Sequence, residues 1–274
     1  MRVVYLGTSA FAAGVLRDID PVHRPVLVVT RPDRPAGRGR RLTSPPIVAT
    51  AGELGIEVFQ PASVNDDDAR ARIAEAQPDL LVVCAFGALI KEPLLGDHEI
   101  LNVHPSLLPR WRGAAPVERA IMAGDAETGV SIMRLTAGLD SGPVALAARE
   151  PIRPDDTYGT LAPRLEVLGA RLLNRVLDER PPFTEQDEAG VTYAEKIGPA
   201  DRILDPAATP EEQVRVVRAL SPHIGARLAR VDGSFLGVRA ARVGDDGRLE
   251  LLEVQPPGGR PMSYAEYRRG HGDV

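Results

Sequence analysis

An amide and an imidazole two residues apart are the side chains of this sequence best suited to chemistry. In Ile100-Leu101-Asn102-Val103-His104-Pro105 an apolar run leads into Asn102 and His104. The alternation of a strand puts these two on one face. Pro105 has no N–H to extend a ladder, so it ends the strand and opens a rigid turn, Ser106-Leu107-Leu108-Pro109. A polar strand end beside a stiff loop is where open α/β sheets hold their ligands. A third polar residue, Asp140, lies in Gly138-Leu139-Asp140-Ser141-Gly142, just past a later strand. Acyl transfer between amines needs a stabilised oxyanion, a proton taken from the attacking amine and a proton given to the leaving nitrogen. Asn102 could donate to the oxyanion, and His104 could add a hydrogen bond or charge. Asp140 could orient His104 and accept the proton, directly or through a water. By themselves, these residues fit an ordinary core asparagine and a satisfied histidine at least as well.

The elements needed to position them are legible. Val3–Leu6, Val26–Val29, Ile56–Phe59, Leu80–Ala85 and Ile100–His104 read as short strands, with helical spacing over Phe11–Ile19 and Ala69–Glu75. Val- and Leu-rich runs without alternation predict a mostly parallel sheet covered on both faces, and the βαβ rhythm an open, doubly wound (Rossmann-like) α/β architecture. Thr128–Leu135 alternates as a strand, and Val144–Ala148 reads as an antiparallel edge strand. Asp155-Asp156-Thr157 should cap a helix from Tyr158 to Asp178. Pro181-Pro182 and the polar stretch to Gly190 read as a linker. Thr209-Pro210-Glu211-Glu212 is a capping box ahead of a helix, followed by β runs at 226–231, 235–243 and 249–254 with Asp-Gly turns between them. The expected domains are therefore residues 1–182, a linker over 183–200, and a small antiparallel β module over 201–274.

Composition narrows the class. With 274 residues, 43% hydrophobic and 26% charged, the chain should be a soluble globular protein of two domains. No stretch approaches the ~20 apolar residues of a membrane span, and the first strand is too short for a signal sequence. The single cysteine, Cys84, lies in an apolar run and reads as a buried core thiol, which fits a cytoplasmic address. A net charge of −5 argues against a protein that coats nucleic acid over its whole surface and leaves room for a local basic patch. His23, His98, His223 and His271 stand singly, so no metal site is expected. Gly7-Thr8-Ser9 lacks the later glycines of a dinucleotide fingerprint.

The longer motif Ser106-Leu107-Leu108-Pro109-Arg110-Trp111-Arg112-Gly113-Ala114-Ala115-Pro116, with Asn102, His104 and Asp140, resembles the signature of 10-formyltetrahydrofolate-dependent formyltransferases. Gly7–Ala12, the basic loop Thr30–Leu42, Tyr193–Ile197, Val217–Pro222 and Gln255–Ser263 extend the resemblance along nearly the whole chain to the methionyl-tRNA formyltransferase family. That resemblance implies a formyltransferase fold with a C-terminal OB-like β-barrel. It implies transfer of a formyl group from 10-formyltetrahydrofolate to the α-amine of initiator methionyl-tRNA, with no metal and no obligate protein partner. Asn102, His104 and Asp140 are the implied catalytic residues. Ser106, Leu107, Leu108 and Pro109 are the implied folate-contacting turn, with Phe86, Gly87, Ala88, Leu89, Ile90 and Leu139 around the pterin. Arg34, Arg38, Arg40 and Arg41 are the implied tRNA contacts. With Arg31 these make five guanidinium groups against one carboxylate, Asp33, and arginine's planar fork suits phosphates and unstacked bases. Without the resemblance, a solvated loop would describe this segment better. Trp111 could stack on a base or anchor its loop.

Two departures stand out. Ser9 replaces the family's usual proline, and the tight turn between Val243 and Leu249 leaves the C-terminal barrel shorter than usual by a few dozen residues. A formyltransferase acting on a small amine, such as an amino-sugar nucleotide, would share the trio but would not need the arginine loop. A formyltetrahydrofolate hydrolase would usually carry an extra N-terminal domain.

Overall fold

The computed structural model describes residues 1–36 and 41–272. It divides into two units. Met1–Arg112, Gly129–Glu150 and Pro163–Tyr193 form the first; Gly113–Thr128, Pro151–Ala162 and Ala194–Val274 form the second.

Val3–Gly7 (β1) is buried throughout. Ser9 caps Ala10–Ile19 (α1), its hydroxyl accepting from the Ala12 N–H. Leu27–Val29 (β2) is followed by an antiparallel hairpin, Arg34–Ala36 (β3) with Arg41–Thr43 (β4). Pro46–Glu53 (α2), Val58–Phe59 (β5), Asp67–Glu75 (α3), Leu80–Cys84 (β6), Leu94–Asp97 (α4) and Ile100–His104 (β7) come next. Arg112–Gly113 (β8), Pro116–Ala123 (α5), Glu127–Arg134 (β9), Val144–Pro151 (β10) and Tyr158–Glu179 (α6) lead to the C-terminal elements. Sequence patterning did not assign α2 and α5, because each opens on a proline that reads as a breaker. At the first helical turn proline gives up only an N–H that would be unpaired anyway.

The main sheet has seven strands in the order β10-β9-β7-β6-β1-β2-β5. β5, β2, β1, β6 and β7 run parallel, and β9 is antiparallel to β7. β10 takes the edge, as its sequence predicts. From β1 the order runs through β2 and β5 on one side and through β6 and β7 on the other. That reversal opens a crevice at the carboxyl ends of β1 and β6, where such sheets bind ligands. One face buries Val4, Leu6, Leu81, Val83 and Ile100 with Ile73 of α3 and Leu94 of α4.

Tyr193–Ala194 (β11) begins on the last residue of the first unit, and the second unit continues with Pro210–Leu220 (α7), whose Thr209–Glu212 capping box is complete. Ala226–Ala229 (β12), Phe235–Val243 (β13), Leu249–Gln255 (β14) and Met262–Ser263 (β15) form an antiparallel sheet in that order. Tyr264–His271 (α8) closes the chain with a second capping box, Ser263 with Glu266. Val217 and Leu220 of α7 and Tyr267 of α8 pack with Leu236, Val238 and Val254 in this unit's core.

A half-buried carboxyl stands out in the first unit. Glu166 of α6 lies against α1, where a Cβ on Gly14 would stand 2.1 Å from its Oε2. Burial, with a smaller push from Asp18, raises its pKa to about 7, and Arg17 partly offsets this. Burial also pushes the Cys84 thiol up to about 12 and the Tyr5 phenol well above its usual value. Glu166 therefore binds its proton more tightly folded than unfolded. Its contribution to stability is complete below its ordinary pKa of 4.5 and is lost as the pH rises through about 7. Glu166→Gln should accordingly raise Tm relative to the parent at about pH 8 and leave it nearly unchanged at about pH 5. Thermal melts giving one constant difference at both pH values would contradict this.

Candidate active site

β7 carries Asn102 and His104 to the carboxyl edge of the sheet, between β6 (Val83 beside Asn102) and β9 (Met133 beside Asn102, Ser131 beside His104). Both side chains are buried, with relative exposures of 7% and 4%. Asp140 arrives on the loop between β9 and β10. Gly142 closes that loop so tightly that a Cβ would stand 2.0 Å from the Arg134 carbonyl oxygen. Asn102 Nδ2 donates to Asp140 Oδ1 at 3.3 Å, and His104 Nδ1 lies 3.7 Å from Asp140 Oδ2. Alternation on a strand and a glycine-flanked loop thus bring an amide, an imidazole and a carboxylate together.

The far side of the imidazole is fixed by backbone. His104 Nε2 lies 2.9 Å from the Trp111 carbonyl oxygen. A carbonyl only accepts, so Nε2 carries the hydrogen in the neutral as well as the cationic ring. The proton that comes and goes is then the one on Nδ1, the nitrogen facing Asp140. Both residues that face His104 have left-handed backbone, Trp111 at φ +65° and Asp140 at φ +44°. Such conformations cost on the order of 1–3 kcal/mol for a non-glycine residue and persist only where the surroundings over-determine them.

Those surroundings are residues that sequence reasoning did not single out. Thr192 Oγ1 accepts from the Trp111 N–H at 2.9 Å. Gln186 Nε2 donates to the carbonyls of Asp140 at 2.8 Å and Gly142 at 2.7 Å, while its Oε1 accepts from Arg112 Nε at 3.0 Å. Ser131 Oγ donates to the Ser106 carbonyl at 2.8 Å and accepts from the Leu108 N–H at 3.2 Å, tying the turn after β7 to β9. No periodicity marks Gln186 and Thr192, whose only signal is a polar type in a segment that otherwise reads as a connection, and Ser131 is one polar position among others on the alternating strand β9.

Comparison with known proteins identifies the lineage. The formyl transferase family model matches residues 1–177. The chain is 41% identical over 303 aligned positions to the methionyl-tRNA formyltransferase of Stenotrophomonas maltophilia (strain K279a), covering 100% of this chain and 99% of that protein. It belongs to the methionyl-tRNA formyltransferase family. The 303 aligned positions exceed the 274 residues here, so the relative carries insertions that this chain lacks. In three dimensions it is similar to the methionyl-tRNA formyltransferase from Clostridium thermocellum (TM-score 0.68, 12% identity, 96% of this chain and 99% of that one). A sugar N-formyltransferase from Shewanella sp. FDAARGOS_354 is similar as well (TM-score 0.66, 18% identity, 87% and 96%). The formyltransferase fold is therefore common to proteins named for different acceptors.

Against this family background, the other expected site residues distribute unevenly. Ser106 is fully buried, and its hydroxyl donates to the Arg110 carbonyl at 2.7 Å, so it shapes the turn from within. Leu107, Leu108 and Pro109 are half-buried at its surface. Phe86 and Ile90 are buried in the sheet core, while Gly87, Ala88, Leu89 and Leu139 are exposed. Thr8 Oγ1 donates to the Phe86 carbonyl at 2.7 Å and Arg31 Nη1 to the Gly87 carbonyl at 2.9 Å, fixing the loop after β6. Arg31 is thus spent on this loop. Arg34 and Arg41 are exposed on the β3–β4 hairpin, and Arg38 and Arg40 lie outside the described residues. Asp33 accepts from Gln60 Nε2 at 2.8 Å and Ser44 Oγ at 2.9 Å, bonds that hold its carboxyl below the usual range and pin the base of the hairpin. Among the described residues no cluster of His, Cys, Asp and Glu could hold a metal ion, and no helix is long and apolar enough to cross a membrane.

The Trp111 carbonyl makes a spectroscopic prediction. Nitrogen NMR of labelled protein should find the neutral His104 ring protonated on Nε2 and not on Nδ1. A neutral ring protonated on Nδ1 would contradict the assignment.

Proposed function

We propose that this chain transfers the formyl group of 10-formyltetrahydrofolate to the α-amine of methionine on initiator tRNA. The reading rests above all on near-full-length relationship to proteins of that name, in a chain that keeps Asn102, His104 and Asp140 at one sheet edge.

In this mechanism the methionine amine attacks the formyl carbon, and a bond from amine nitrogen to carbon forms. The formyl oxygen becomes an oxyanion, stabilised by the Asn102 amide and by the Nδ1–H of His104 in its cationic form. Asp140 takes the proton lost by the attacking amine. The bond from the formyl carbon to N10 of the folate then breaks, the oxyanion collapses to the new formamide, and N10 receives the proton that Asp140 took up, which returns Asp140 to its carboxylate form. Asn102 suits its part because its amide carries two N–H groups, one of them aimed at Asp140 and one for the substrate oxygen. The folate lies along the exposed edge formed by Gly87, Leu107, Leu108, Pro109 and Leu139. Phe86, Ile90 and Ser106 support that edge from beneath.

The arginine hairpin supplies the tRNA contact through Arg34, Arg38, Arg40 and Arg41. Its base, pinned through Asp33, presents guanidinium groups to phosphates and unpaired bases at the acceptor end. Residues 1–182 carry the chemistry in this reading. The β12–β15 sheet, with α7 and α8 packed on it, serves as a reduced OB-like barrel that adds RNA affinity. The compartment is the cytoplasm.

Two measurements check the assignment. Asn102→Ala should lower kcat by about 10²–10³-fold, the usual cost of one oxyanion donor, with the melting temperature retained. A folded variant turning over at the parental rate would remove Asn102 from the mechanism. Replacing Arg34, Arg38, Arg40 and Arg41 by Ala should raise KM for charged initiator tRNA and leave folate affinity unchanged. The acceptor itself is decided by labelled formyl transfer, in which methionyl-tRNA should be formylated. Transfer to an amino-sugar nucleotide instead, or release of formate without an acceptor, would overturn the reading.

A further inference from the structure

The stretch from Thr184 to Thr192 reads in sequence as a passive connection, yet it holds both groups that face His104. Thr184 enters alongside β10, exchanging backbone hydrogen bonds with Val144 at 2.8 and 2.9 Å. Two residues on, the Gln186 amide is committed at both ends. Its NH₂ bridges the Asp140 and Gly142 carbonyls, and its oxygen receives the Arg112 guanidinium. Arg112 is itself buried, 4% exposed, and also pairs with Glu188 at 3.2 Å. At the far end Thr192 takes the Trp111 N–H on its hydroxyl and the Arg112 N–H on its carbonyl, each at 2.9 Å. One short segment thereby fixes the carbonyl on His104 Nε2 and the loop that carries the carboxylate toward His104 Nδ1.

From this geometry we infer that Gln186 is a positioning residue for Asp140, with Arg112 as its anchor. The inference rests on the formyl-transfer reading for its activity test. The residue type fits the task. Two loop carbonyls need two donors in one plane, which a primary amide supplies. A lysine or arginine could also donate twice, but it would add a positive charge beside the carboxylate meant to accept a proton. The glutamine fixes the loop without adding a charge beside Asp140. Its carbonyl end meets the guanidinium and its NH₂ end the two carbonyls, so the amide has one satisfied orientation.

Gln186→Glu separates positioning from simple bracing. The carboxylate keeps the length of the side chain and its tie to Arg112, but it sets an acceptor against two carbonyls. Positioning predicts a kcat lowered by on the order of 10²-fold, as for other displacements of about 1 Å at a reacting centre, with KM for both substrates and the melting temperature close to parental. It also predicts shifted His104 imidazole resonances. A role confined to bracing the segment through Arg112 predicts parental kcat and unshifted His104 signals, and that result would overturn the inference. Gln186→Ala, which loses both ties, should lose kcat similarly and lower the melting temperature as well; an unchanged kcat in this variant would count equally against the inference. If the parent protein fails to formylate methionyl-tRNA, the functional reading falls by itself, and the His104 spectra of parent and Gln186→Glu then decide the positioning.

Discussion

A backbone carbonyl governs the chemistry of this fold. The Trp111 oxygen on His104 Nε2 sets which imidazole nitrogen is permanently protonated and turns the other toward Asp140. Without that contact the ring could rotate or exchange tautomers, and the cleft would hold three polar groups with no assigned roles. The contact comes with left-handed backbone at Trp111, and the loop facing it has left-handed backbone at Asp140. Two unfavourable conformations opposite one ring indicate a site held in place by its surroundings.

The rest of the first unit supplies those surroundings. The parallel sheet brings β7 to an edge where the neighbouring loops can converge, because the strand order reverses beside β1. Thr8 and Arg31 fix the loop after β6, Ser131 and Ser106 fix the turn after β7, and Gln186, Thr192 and Arg112 fix the two strained residues. The hydroxyl, amide and guanidinium groups in this list are spent on carbonyls and amides of the loops. That division of labour leaves Asn102, His104 and Asp140 to face the reacting atoms in the proposed mechanism.

Much of this could be read in the chain alone. The strands β1, β6 and β7 announced themselves as apolar runs, and the Asp-Gly turns marked the C-terminal hairpins. Asn102 and His104 could be paired because a strand has period two. Asp140 was visible through the glycines around it, and the structure brings it to both. What stayed hidden has physical reasons. Helices α2 and α5 begin on prolines that look like breakers and behave as first-turn residues. The β3–β4 hairpin has too few residues for a period. Gln186 lies 46 residues from Asp140, so no local pattern links them. The Trp111 carbonyl is invisible in principle, since a backbone oxygen is common to every residue and only the path of the chain aims it. Phe86, Ile90 and Ser106 show the converse, being suggestive types whose side chains turn inward.

A structure of the protein bound to a non-reactive analogue of the formyl donor tests the central claim most directly. The account predicts the analogue's formyl oxygen at about 2.7–3.1 Å from both Asn102 Nδ2 and His104 Nδ1, with the Trp111 carbonyl still on Nε2. A formyl group held away from β7, or a ring turned so that Nε2 faces the donor, would contradict it.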